Sequence, residues 1–139
     1  MKFLLKTIFT QIKTVPAIKW VDEDFGQIDQ YEDKPPVQFP CALVTIDELY
    51  DSLGGDACDQ TSTITVRVAH SRLGNRSGMA PGEAIDLTLA KLDVAEDVKL
   101  AIQGFKITSW NSIVYLTGMA TERRTDGIAV KTLTFTVTN

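Results

Sequence analysis

Histidine and cysteine are scarce in this chain. Its 139 residues include one histidine, His70, and two cysteines, Cys41 and Cys58. Zinc centres of the Cys₄ or Cys₂His₂ kind need four such ligands, and most general acid–base catalysis leans on histidine, so both lack raw material here. No stretch approaches the eighteen consecutive apolar residues of a membrane-spanning helix. Bases are also short: fourteen Lys and Arg against eighteen Asp and Glu leave a net −4, which argues against a dedicated nucleic-acid binder. Gly-x-Ser-x-Gly and the phosphate-binding Walker pattern are absent, and Gly74-Asn75-Arg76-Ser77-Gly78 has no lysine to complete one. The opening Met1-Lys2-Phe3-Leu4-Leu5-Lys6 has a lysine where a signal peptide needs its apolar run, and no small-residue cleavage site follows. It reads as structure.

The rest of the composition is that of a globular domain. Hydrophobic residues make up 44% and charged residues 23%, and the length suits one domain spanning 1–139. Phe3, Leu4, Thr7, Ile8, Gln11 and Ile12 fall on one helical stripe, and Val15-Pro16 ends it. Ala17 to Val21 reads as a short strand. Residues 22–40, with three prolines and few aliphatics, read as a long loop.

Cys41 to about Tyr50 then reads as a strand, and residues 51–56 as a turn by composition. Ile64, Val66 and Val68 alternate with Thr63, Thr65 and Arg67, which completes an antiparallel hairpin. In such a hairpin the cysteines would sit opposite residues near 68 and 51, not opposite each other, so both are expected to be reduced. Pro81 suits a helix start, and Ile85, Leu89 and Leu92 mark an apolar stripe. Asp93 and Glu96 resemble a second cap, which predicts a break near Asp93, a second piece to about Gln103 and Gly104 as its terminator. Residues 105–121 and 128–139 read as strands around an Asp126-Gly127 turn. The expected fold is α+β: a mainly antiparallel sheet of four to five strands, with the N-terminal helix and a broken central helix on one face.

The search for chemistry gives little. The acidic run Asp22-Glu23-Asp24-Phe25-Gly26 departs from a calcium loop, because glycine falls at position five and aspartate at twelve. His70 has no nucleophile or carboxylate tied to it by a motif. No catalytic, metal or cofactor residue is therefore assigned.

Charge placement is more informative. Between Asp22 and Asp59 there are eleven acids and one base, Lys34, a net −10; the remaining seven acids and thirteen bases give +6. Such a split suits subunits that meet head to tail, an acidic face against a basic one. Arg123 and Arg124, at the last hairpin tip, and Arg72 and Arg76 are the cations expected to be exposed. With Asp22, Glu23 and Asp24 they form the candidate subunit or partner interface. The threonines of the last strand (Thr132, Thr134, Thr136, Thr138) face either solvent or another sheet.

The layout as a whole resembles the phage tail-terminator family, the small tail-completion proteins of the lambda minor tail protein U type. An amphipathic N-terminal helix leads to the short strand Ile18-Lys19-Trp20-Val21. A proline-bearing approach, Pro35-Pro36-Val37-Gln38-Phe39-Pro40, enters a strand. A Thr/Val strand, a helix with Ile85, Leu89 and Leu92, a strand opened by Phe105 and the terminal Leu133-Thr134-Phe135-Thr136-Val137 follow. The acidic segment from Asp22 to Lys34 departs from that layout.

The resemblance implies a structural protein of a phage or prophage tail, assembled in the bacterial cytoplasm and needing no cofactor or membrane. It would form a ring, a hexamer, on the tail tube. Its partners would be itself, the tail-tube protein, a head-completion or neck protein, and DNA passing through the lumen without specific binding. The acidic 22–59 region could line part of that lumen and repel passing phosphate. The alternatives are another neck or tail-tube component, or a small ligand-binding α+β domain.

Overall fold

The computed structural model describes residues 2–54, 57–71, 81–107, 110 and 112–138. Its elements are α1 (Lys2–Ile12), β1 (Trp20–Glu23), β2 (Cys41–Gly54), β3 (Ala57–His70), α2 (Pro81–Ile102), β4 (Tyr115–Glu122) and β5 (Ala129–Thr138). The five strands form one sheet in the order β1-β2-β3-β5-β4. All pairings are antiparallel except β1 on β2, where Trp20 pairs with Cys41 and Glu23 with Val44. This is the α+β fold expected, with one parallel edge. No described helix is long and apolar enough to cross a membrane.

Alternation along the strands builds two apolar faces. Toward the helices point Ala42, Val44 and Ile46 of β2, Ile64, Val66 and Val68 of β3, and Leu133, Phe135 and Val137 of β5. Leu4, Ile8 and Ile12 of α1 cover them, joined by Val98 and Ile102 of α2. Each fully buried aliphatic or aromatic side chain is worth about 1.5–3 kcal/mol, so this layer dominates stability. The opposite face buries Cys41, Leu43, Ala69, Ile128 and Val130. Its cover is Ile28, with Trp20, Tyr31, Val37 and Phe39 from β1 and the long loop. The proline-rich loop is therefore a strap across the second face, and a cis Phe39–Pro40 peptide leads from it into β2.

Several expectations are corrected. The short strand lies at Trp20–Glu23 instead of Ala17–Val21, because Lys19 N–H already bonds Pro40 O at 2.9 Å and sets the register. Asp22 and Glu23 thus belong to a strand. The hairpin arms extend through the polar stretch read as a turn, with Ser52 opposite Cys58. Cys41 lies opposite Ala69, each cysteine within one residue of its expected partner, so the two do not face each other.

Helix α2 is continuous across Asp93. Asp93 is exposed, while Val94, Ala95 and Val98, which follow it, pack inward, so tertiary contact overrides the capping signal. Gly104 does terminate the helical segment, with φ +80°, and Gly127 sits at φ +81° in the last turn. The strand expected from Phe105 begins only at Tyr115. Trp110 N–H bonds Ile107 O at 3.1 Å, turning the chain so that Lys106 and Ile113 form a single bridge before β4 starts.

Candidate assembly surfaces

Two arginines fasten the strap. Arg67 projects from β3 on the face away from the helices, and Arg124 follows β4. Arg67 donates to Asp29 at 2.9 and 3.0 Å, to Glu122 at 2.8 Å and to Asp24 at 3.1 Å. Arg124 reaches Asp29 at 2.8 Å, Asp126 at 2.7 Å and the carbonyl of Ile28. Tyr31 Oη adds a hydrogen bond of 2.9 Å to Asp126. Loop, central strand and last turn are thereby joined through charge-assisted bonds. The Arg67 hydrogen bonds hold Asp29 down to about 2, against desolvation and with help from Arg124. Arg124 likewise holds Asp126 well below the usual carboxylate range.

The sequence-predicted interface residues separate into three groups. Asp24 and Arg124 belong to this network; the Arg67 and Arg124 side chains are only 13% and 9% exposed. Arg124 is therefore turned inward, contrary to its expected exposure at the hairpin tip, because Asp29 and Asp126 lie within reach. Glu23 and Arg123 are exposed, and Asp22 is half-buried with Oδ1 accepting from Glu23 N–H at 2.8 Å. Arg72 and Arg76 lie outside the described residues.

Three further surfaces stand out. The far half of the β2–β3 hairpin projects beyond its neighbours: β1 reaches only Val44 and β5 only Thr61. Leu49 and Tyr50 are exposed there beside exposed Asp47, and Tyr50 Oη donates to Glu48 at 2.6 Å, which lowers the Glu48 pKa. The sheet face away from the helices carries threonines in opposed pairs, Thr61 with Thr138, Thr63 with Thr136 and Thr65 with Thr134. They are half-buried, so the last strand's threonines share a face with those of β3. Thirdly, α2 turns an apolar stripe outward. Ile85, Leu89, Leu92 and Leu100 are 59, 52, 37 and 71% exposed. The apolar stripe that the sequence marks at Ile85, Leu89 and Leu92 is thus not the side that meets the core, which is met by Val94, Ala95, Val98 and Ile102.

A groove of about 470 Å³ separates α2 from the strand ends, lined by Leu92, Lys91, His70, Val130 and Lys131 among others. Burial, and secondarily Lys91, lower the His70 pKa, so the imidazole is neutral at physiological pH. Among the described residues its Nε2 finds no hydrogen-bond partner. Neither a nucleophile nor a carboxylate is hydrogen-bonded to it among the described residues. Among those residues no group of three or more His, Cys, Asp or Glu side chains is placed to hold a metal ion.

No family model matches this sequence, and no curated protein matches it. Among solved structures, the fold is similar to that of a chain in the virion of a native gene transfer agent particle, with a TM-score of 0.58. The alignment covers 97% of this chain and 92% of that one at 12% identity, so the likeness is one of fold.

Proposed function

We propose that this chain is a structural, non-enzymatic protein of a phage-like virion, and within that class a tail terminator. The observation that carries the reading is the end-to-end fold likeness to a virion chain. It agrees with the tail-terminator layout found in the sequence. In this reading copies close into a ring of about six on the tail tube, contacting the tube on one side and a head-completion or neck protein on the other. DNA passes through the lumen without specific binding, repelled by acids of the 22–59 region.

A terminator must bind the last tube ring without offering an equivalent end to the next. The projecting hairpin supplies an asymmetric feature for such a contact, and β1 is only four residues long, which limits recruitment at that sheet edge. Glu23 and Arg123 are the exposed members of the proposed interface. Light scattering across concentration, paired with negative-stain images, tests the reading. Closed rings, or rings formed when purified tail tubes are added, are expected. Open filaments would identify a tube protein instead. A subunit that neither forms rings nor caps tubes would sink the terminator assignment.

A further inference from the structure

A helix that packs one side on a sheet normally carries polar residues on the other. Helix α2 does not. Ile85, Leu89, Leu92 and Leu100 lie exposed on the side opposite the half-buried Val94 and the buried Val98 and Ile102, with exposed Glu96, paired with Lys99 at 3.4 Å, between Leu92 and Leu100. An exposed apolar stripe of this length marks a contact surface. Exposed Asp86, Asp93 and Asp97 border it.

Helix α1 presents the complement. Residues 1–21 contain four lysines and no acid. Lys2 and Lys6 are exposed near Phe3, itself 59% exposed, and Lys13 is exposed just past the end of the helix, while Leu4, Ile8 and Ile12 face the sheet. Both helices cover the same sheet face, so their outward sides look in the same direction.

We propose that this helical layer binds a second copy of the chain face to face about a two-fold axis. Each α2 stripe lies on the partner's α1, with Phe3 against the leucines and the lysines against the bordering aspartates. The contact is isologous: what one copy offers, the other accepts. The alternative of α2 packed antiparallel on α2 would bring the aspartate border against its own equivalent, a like-charge arrangement that works against pairing. At about 1.5 Å per residue and 10 Å width, the two helices offer roughly 500 Å² per copy, or about 1,000 Å² in total, the lower limit of a specific interface. The pair is accordingly concentration-dependent. It does not rest on the terminator reading, because a ring contact joins two different patches whereas this one joins a surface to itself.

Sedimentation velocity on the full chain, from the micromolar to the millimolar range, provides the test. The wild type is expected to show a concentration-dependent doubling of mass, of monomers or of rings. Leu89→Glu should abolish that doubling without changing the circular dichroism spectrum. A set with Lys2, Lys6 and Lys13 each changed to Glu, and a second set with Asp86, Asp93 and Asp97 each changed to Lys, should separately fail to pair. An equimolar mixture of the two sets should pair, since each mismatched contact becomes complementary while the second keeps its native charges. Absence of doubling in the wild type, persistence of doubling in Leu89→Glu, or failure of the mixture would each overturn the proposal. Tube capping by the Leu89→Glu variant is read separately, so loss of the pair and loss of the terminator role are distinguishable.

Discussion

Arg67 ties the strap to the centre of the sheet. It is largely buried, and it neutralises Asp24, Asp29 and Glu122 at once. Removing it leaves Asp24 without its cation and Asp29 and Glu122 sharing Arg124 alone, a penalty distinct from the value of any single bond. Arg67→Ala is expected to lower stability by about 3 kcal/mol in urea titrations. Arg67→Lys should recover only part, because an ammonium cannot reproduce the forked contact with Asp29. The same network sets the acid limit. Asp29 is depressed from 3.8 to about 2, so its contribution is complete above its ordinary value and disappears as pH falls through the depressed one. Melting temperature should therefore drop between about pH 4 and pH 2, and Asp29→Asn should flatten that part of the curve. None of this was legible in the sequence. Arg67 alternates with valines as any outward strand residue does, and its partners are 38 to 55 positions away.

Helix α2 shows where pattern reading succeeds and where it stops. Its start at Pro81 and its glycine terminator at Gly104 were legible, because proline and glycine act through local backbone geometry. The hairpin register was legible within one residue, since alternation fixes which side chains share a face. The face that α2 buries was not. With apolar residues on two sides, periodicity alone offers either as the inward one, and the choice falls to tertiary packing. The two sides should answer differently to truncation. Ile102→Ala removes a fully buried side chain and is expected to cost about 2–5 kcal/mol. Leu89→Ala, on the exposed side, should stay within about 0.5 kcal/mol in dilute solution. Urea titrations at low protein concentration check both. A large loss at Leu89 under those conditions would mean that the stripe is already covered within one copy.

At the scale of the whole molecule, the acidic stretch 22–59 does not act as one surface. Asp24 and Asp29 are neutralised within the chain by Arg67 and Arg124, which takes up their charge and turns Asp24 and Arg124 away from outward contact. The unsplit charge map was legible from sequence; the share of it consumed internally was not, because that depends on how the strap crosses the sheet. What faces outward differs in kind between the two proposed contacts. A ring contact between an acidic and a basic face is led by charge, whereas the helical-layer pair has a leucine stripe at its centre. Screening separates them, since the Debye length shrinks from about 10 Å at 0.1 M salt to about 3 Å at 1 M. Ring formation should therefore weaken steeply over that range. The layer pair, losing only its bordering lysine–aspartate attraction, should weaken less and remain sensitive to Leu89→Glu at high salt. Light scattering of the wild type and of the Leu89→Glu variant along one salt series reads both contacts. Rings that survive high salt while the pair dissolves would reverse the assignment, placing apolar contact between ring neighbours and charge in the helical layer.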